Sequence, residues 1–224
     1  MRTVAEIRDR LLEDLRFMVW RPSMRGGNAD ASEELLLHLL DTLCFIDRRE
    51  KVWAAARSIF VTGCRWVRGH FEFQHRPFPH FVNEVTSVYA EVAFTLGYFT
   101  PARLLNDAEM SRLASVCERA EFRCQDWTET ELHAQFGPPS HEVVGGLTTV
   151  ACYGSEAPEV KWVFFDLARR LPWEDDWLPV PVVRDFRNGH HNQMHLLPVG
   201  ERWAGELIRP APDIIVDTPI EFFQ

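Results

Sequence analysis

The chain has 224 residues, and its composition of 46% hydrophobic, 12% aromatic and 25% charged residues is typical of a folded globular protein rather than a disordered or fibrous one. Polar residues such as His38, Asp41 and Arg57 interrupt the richest apolar stretches, which stay shorter than the roughly 18 residues of a membrane span. Residues 1–10 are too charged for a signal peptide, so we expect a cytoplasmic protein with no membrane contact.

The net charge is distributed unevenly along the chain. There are 24 Lys+Arg and 33 Asp+Glu residues, which give a net charge of −9. Residues 1–125 contain 17 basic and 17 acidic side chains, so residues 126–224, with the remaining 7 basic and 16 acidic ones, carry the whole excess. Neither half has the basic excess that neutralises phosphates, and we expect no nucleic-acid partner. An acidic half suits a basic protein partner.

Cysteine usage also favours a cytoplasmic protein. The cysteines are odd in number and widely spaced, and no Cys-x-x-Cys pair occurs among them. This pattern predicts reduced, buried thiols without a disulfide bond, a zinc ribbon or a redox motif. The five residues are Cys44, Cys64, Cys117, Cys124 and Cys152.

Helix signals dominate the chain up to about residue 136. Thr3 with Glu6, and Thr128 with Glu131, have the spacing of capping boxes, in which paired side chains bind free backbone N–H groups at a helix start. Gly137 is placed to end the last helix. Apolar residues recur at helical spacing over about residues 3–20, 30–46, 49–67, 81–96, 106–120 and 128–136. Gly97 is placed to end the helix over 81–96, and Thr100 before Pro101 predicts a short helical turn.

From Glu142 onward the chain changes to strand signals, with segments rich in Val, Thr, Tyr, Trp and Phe. The first two segments predict a hairpin with a long loop, and Gly145-Gly146 is interpreted as a bulge inside its first strand. Asn188-Gly189 is a strong turn signal, and it predicts that the last three strand segments form a meander. The predicted strands cover about residues 142–152, 159–167, 178–186, 190–199 and 203–208.

Helices followed by strands, without alternation, indicate an α+β fold rather than a doubly wound sheet. We expect a helical N-terminal part over about residues 3–136, packed with a C-terminal antiparallel sheet over about residues 142–216. One α+β domain over residues 1–224 is expected, with a possible subdivision into a helical part, 1–137, and a strand-rich acidic part, 138–224.

The densest group of metal-ligand residue types follows the Asn188-Gly189 turn. On a strand, His191 and His195 share one face and His190 takes the other. Together with Asp185 across the hairpin, these residues could hold a zinc ion with three protein ligands and a water. The spacing matches no established zinc motif, and we favour the interpretation that these residues form a solvated strand face near a turn. A metal-dependent hydrolase using these residues is kept as an alternative.

No other set of residues matches a specific catalytic motif. Ser140 and His141 with Asp126 suggest a triad, but no nucleophile elbow or oxyanion loop accompanies them. Phosphate-binding and dinucleotide-binding motifs are absent from the sequence. We therefore expect a protein that is not an enzyme and that needs no cofactor.

A tryptophan-flanked acidic segment is the most suggestive feature for binding. Trp173, Glu174, Asp175, Asp176 and Trp177 lie between Pro172 and Pro179. Large amphipathic side chains beside negative charge are typical of an interface for a basic partner. Both tryptophans could instead face the core while the carboxylates are solvated. The two interpretations stay open at this point.

Four short stretches resemble a poorly characterised group of proteins from GC-rich bacteria. They are RPSMRGG at residues 21–27, FTPARLL at 99–105, FGPPS at 136–140 and WVFFD at 162–166. The resemblance implies a small cytoplasmic protein of the kind found as immunity partners of secreted bacterial toxins. It carries over no catalytic residue.

The sequence therefore predicts a non-enzymatic immunity or inhibitor protein whose acidic C-terminal part covers a basic toxin, such as a nuclease. The predicted contact is the segment from Trp173 to Trp177. A helical protein-interaction adaptor is a further alternative, in which the same kind of surface would bind a partner that is not a toxin. The oligomeric state is left open.

Overall fold

The structure is a computed structural model that describes residues 3–24, 29–57, 81–118, 127–145, 148–157, 162–170 and 177–188. The helices are α1 (Val4–Trp20), α2 (Ala29–Ile46), α3 (described over 50–57), α4 (Phe81–Thr95), α5 (Asp107–Glu118) and α6 (Glu129–Phe136), with a short 3-10 turn at Pro22–Met24. The strands are β1 (His141–Val144), β2 (Thr148–Tyr153), β3 (Val163–Ala168) and β4 (Val182–Asn188). The predicted α+β fold class is confirmed.

Local hydrogen bonds set the helix starts that the sequence indicates. The Thr3 hydroxyl accepts from the Glu6 N–H (3.2 Å), and the Glu6 carboxylate accepts from the Thr3 N–H (2.7 Å). Thr128 and Glu131 form the same box at the start of α6, at 3.2 and 2.8 Å. Backbone hydrogen bonding lowers the pKa of both glutamates below the ordinary value. Both predicted capping boxes are confirmed.

Helix ends follow backbone conformation. Gly97 after α4 and Gly137 after α6 have positive φ angles of 73° and 77°, which a glycine adopts without strain. The short helical turn predicted after Thr100 is wrong. Residues 101–104 are not helical, and Leu105 forms a bridge with Ser155, so the backbone hydrogen bonds of Leu105 go to the chain following β2.

The described sheet is an antiparallel meander of order β1-β2-β3-β4. The predicted hairpin between the second and third of these strands is confirmed, with Tyr153 opposite Val163. The bulge predicted at Gly145-Gly146 is wrong: β1 ends at Val144, and the Gly145 N–H donates to the carbonyl of Thr148, the first residue of β2 (3.0 Å). The predicted single strand 142–152 is therefore itself a hairpin.

The next predicted strand begins later than expected, because β4 starts at Val182 rather than at residue 178. The Leu178 N–H donates instead to the carbonyl of Arg169, the residue directly after β3. The predicted strands 190–199 and 203–208 lie outside the described residues.

Helices cover both faces of the sheet. Alternate residues of β3 point in opposite directions, and Phe164 packs towards Phe94 and Phe99 while Phe165 packs towards α5 and α6. Every residue of β3 is buried. Burial on both faces explains why this strand is apolar at every position except Asp166, instead of alternating between apolar and polar residues.

Helices α1, α2 and α4 form a further apolar cluster around Leu15, Leu40 and Val85. The Arg8 guanidinium binds the Asp47 carboxylate through two hydrogen bonds (2.8 and 2.9 Å) and joins α1 to the end of α2. This pairing lowers the pKa of Asp47 below its usual range. The three helices thus associate through a buried core and one bidentate surface ion pair.

Two observations bear on the predicted environment. Cys44 and Cys152 are buried and Cys117 is half-buried, and none of the three is in a disulfide bond; Cys64 and Cys124 lie outside the described residues. Burial raises the pKa of the Cys44 thiol and so disfavours its reactive thiolate form. No helix in the described ranges combines the length and the apolar character that crossing a bilayer demands.

His141 at the start of β1 makes stability dependent on pH. Burial lowers its pKa below the ordinary 6.5, although the hydrogen bond from Nε2 to the Val19 carbonyl (2.7 Å) opposes the shift. As the pH falls, His141 therefore binds a proton more readily in the unfolded chain than in the folded chain. The stability associated with neutral His141 is present above pH 6.5 and is lost as the pH falls below it towards the folded-state pKa.

We expect the free energy of unfolding to fall between pH 7 and pH 5.5, and His141→Gln to flatten this fall, because a glutamine amide donates to Val19 without titrating. Urea unfolding of both proteins at several pH values measures it. Parallel pH profiles would show that His141 does not contribute.

Candidate functional site

The structure describes one residue of the predicted interface, Trp177. Its side chain is 49% exposed, and it belongs to none of the buried apolar clusters of the described chain. Val180, three residues later, is 45% exposed. Trp173, Glu174, Asp175 and Asp176 lie outside the described residues. A half-exposed indole is the state expected of a contact residue before its partner binds.

Two hydrogen bonds join the residues that flank the acidic segment, Arg169 before it and Leu178 after it. The Leu178 N–H donates to the Arg169 carbonyl (2.8 Å), and the Arg169 Nε–H donates back to the Leu178 carbonyl (2.9 Å). Leu178 also packs with Val182 at the start of β4. The described residues before and after 171–176 are thus joined to each other, next to a fully buried strand.

Arg170 adds a cation next to Trp177. Its guanidinium carbon lies 5.6 Å from the centre of the Trp177 ring, within the range of a cation–π contact. The contact restricts the indole while leaving about half of it exposed. Restriction in the free protein lowers the entropy that binding would cost.

The alternative histidine site is mostly outside the described chain. His190, His191 and His195 are all among the residues left out. Asp185 lies on β4, where its Cα is the register partner of Asp166 on β3. Its backbone position is therefore known, and the histidines that it would assist are not placed.

Ser140 and His141 do not pair with each other. The buried Ser140 hydroxyl accepts from the Gly154 N–H (2.8 Å), and His141 donates to the Val19 carbonyl. Each side chain satisfies a backbone group of a neighbouring element. The two residues have structural roles here, which agrees with rejecting a triad, and Asp126 lies outside the described residues.

A three-residue cluster appears that the sequence analysis missed. The ligand atoms of Glu129, His133 and Glu142 all lie within 4.8 Å of one another, and the His133 Nε2 is 3.7 Å from the nearer Glu142 oxygen. Burial raises the pKa of the Glu142 carboxyl; the Glu129 charge raises it further, and His133 opposes both effects. The available signal was Glu-x-x-x-His on a helix, which puts both side chains on one face.

Exposed apolar side chains also occur on the helical part. Phe45 on α2 is 70% exposed and lines a groove with Trp53 of α3. The Trp53 indole N–H donates to Asp41 across the same groove. Nothing in the described chain indicates what would bind there, so the adaptor alternative gains no specific support.

In comparison with known proteins, no family model, no curated protein and no solved structure matches the chain.

Proposed function

We propose that this chain is an immunity or inhibitor protein of the cytoplasm that binds and blocks a basic bacterial toxin, such as a nuclease, through the acidic, tryptophan-containing surface of its strand-rich part. The observation that carries the proposal is the half-exposed Trp177. It directly follows Glu174, Asp175 and Asp176 in the sequence, and the next residue, Leu178, is hydrogen-bonded to Arg169. The residues from Trp173 to Trp177 would form the contact.

The tryptophans supply affinity in this proposal. A Trp that is already restricted loses little freedom when a partner covers it, and central tryptophans commonly account for about 2 kcal/mol or more of binding energy. The Arg170 guanidinium occupies a position over the ring, so the remaining exposed surface of Trp177 is available to the partner. Trp177→Ala should therefore increase the dissociation rate more than it decreases the association rate.

The carboxylates supply speed and selectivity. The active site of a nuclease is electropositive because it binds phosphates, and residues 126–224 carry the whole net charge of −9. Opposite potentials steer encounter and raise association rates by about 10- to 1,000-fold at low salt. An inhibitor that must act before a toxin finds its target benefits from such a rate.

A capture experiment tests the proposal. The full chain is immobilised, lysate of the producing organism is passed over it at low salt, and bound proteins are eluted with salt and identified by mass. We expect one stoichiometric basic protein whose toxic or nuclease activity is abolished by an equimolar amount of this chain. A basic protein that binds without losing its activity would contradict the inhibitor role.

A further inference from the structure

We propose that Glu129, His133 and Glu142 bind a divalent transition-metal ion of the zinc type, which ties helix α6 to strand β1. The set offers one imidazole nitrogen and two carboxylate oxygens, each from a different residue. One nitrogen and two oxygens form a ligand set that zinc and similar ions accept. None of the three residues belongs to the segment Trp173 to Trp177 that is proposed to bind the toxin.

The fold brings the three residues together from two elements. Glu129 is the first residue of α6 and His133 follows one turn later, so their side chains lie on the same helix face. Glu142 is paired in register with Ala151, and Ala151 belongs to the cluster beneath α5 and α6. Glu142 therefore lies on the sheet face that α6 covers.

The distances suit a metal ion better than they suit a hydrogen-bonded pair. Two ligand atoms that are each about 2.0–2.1 Å from an ion lie roughly 3.3 Å apart at a tetrahedral angle. The observed 3.7 Å between His133 Nε2 and Glu142 is close to that separation and too long for a hydrogen bond. The largest separation in the cluster, within 4.8 Å, needs only small side-chain rotations.

His133 also has an unsatisfied nitrogen. Its Nε2 is shielded from solvent and has no hydrogen-bond partner among the described residues. A buried polar atom without a partner is costly, and a metal ion would remove the cost by accepting the nitrogen lone pair. The positive charge of the ion would also offset the electrostatic repulsion between the carboxylates of Glu129 and Glu142.

Among the described residues, no arginine forms a salt bridge with Glu129 or Glu142. Arg103 lies near Tyr153 on the same side of the sheet, but its guanidinium is bound to Glu109 at 2.7 Å. The His133 and Glu142 side chains are each about one-third exposed, which leaves an approach for the ion and for a water as fourth ligand.

The test uses the full chain after treatment with a chelator, titrated with Zn²⁺ by calorimetry. We expect one site that is weakened by at least about tenfold in His133→Gln and in Glu142→Gln, since each removes a ligand atom while keeping the side-chain volume. A hundredfold excess over Kd should raise the Tm of the wild-type chain by about 5–10 °C and should not raise that of His133→Gln.

Two control variants separate this site from other histidines. His38→Gln changes an exposed histidine on α2 and should leave zinc affinity unchanged. The double variant His191→Ala/His195→Ala removes two ligands of the alternative cluster and should also leave it unchanged. Far-UV circular dichroism of each metal-free variant checks that it folds.

Three results would each overturn the proposal. They are a wild-type chain that binds no zinc, equal affinity in the wild type and in both ligand variants, and loss of binding confined to the His191/His195 double variant. Capture of a toxin does not depend on any of these outcomes, so the two proposals fail independently.

Discussion

Trp162→Ala is expected to lower the free energy of unfolding by about 3–5 kcal/mol. The side chain is 2% exposed and lies directly before β3, on the face that α4 covers. Its ring lies 5.4 Å from that of Phe94 on α4 and 6.5 Å from that of Phe164. Removing the indole leaves a cavity between the helical part and the sheet, which surrounding side chains fill only in part.

Urea unfolding followed by circular dichroism and by tryptophan fluorescence measures this loss. Trp177→Ala is the matched control, because it removes the same side chain from a half-exposed position and should cost no more than about 1 kcal/mol. Equal losses in the two variants would show that Trp162 does not join α4 to the sheet.

Phe165→Ala should be similarly destabilising, by about 3–5 kcal/mol, on the opposite face. Phe165 is fully buried, stacks with Phe136 of α6 at 6.2 Å and meets Tyr153 edge-on at 5.8 Å. Aromatic pairs of this geometry contribute beyond the area that they bury. The truncation therefore removes the centre of the packing between the sheet and α6.

The same unfolding measurement applies, with Phe45→Ala as the matched control on the exposed side of α2. Because Phe45 is 70% exposed, its removal should change stability by less than about 0.5 kcal/mol. If Phe165→Ala cost no more than Phe45→Ala, α6 would not pack on this sheet face as the structure indicates.

Much of the helical part could be predicted because its signals are local. Thr3 and Glu6, or Thr128 and Glu131, contact each other across three residues whatever the rest of the chain does. Gly137 ends α6 for an equally local reason, the positive φ that it adopts. Apolar spacing then identified the faces that carry Leu15, Leu40 and Val85 into the core.

The sheet was harder to predict because its hydrogen bonds join distant residues. Gly145 in a run of valines and threonines fits a bulge and a turn equally well, and only the pairing of Val144 with Thr149 distinguishes them. Similarly, nothing near Thr100 shows that Leu105 will pair with the chain after β2. Strand limits are set by such partners, which the local sequence does not contain.

The candidate sites also differ in whether adjacent residues or distant contacts define them. The tryptophan-flanked carboxylates are adjacent in sequence, so their composition alone marked them. The exposure of Trp177 and its contact with Arg170 depend on the closure of Leu178 onto Arg169 and needed the structure. Glu142 approaches His133 because the chain turns back after Gly137, and the spacing of the three ligands resembles no known motif.

The central claim is that the acidic segment recognises a basic partner, and the salt dependence of affinity tests it most directly. Three proteins are compared at low and high salt against the captured partner: the wild type, the variant Glu174→Lys/Asp175→Lys/Asp176→Lys, and a control with the same change in net charge. The control reverses exposed carboxylates on α1 and α2, Asp9→Lys/Glu13→Lys/Glu34→Lys.

We predict that the reversal at 174–176 weakens binding by at least about tenfold at low salt and flattens its salt dependence, while the control variant binds within about threefold of the wild type. Unchanged affinity in the 174–176 variant would contradict the proposed interface. An equal loss in the control variant would show that overall charge, rather than this surface, governs binding.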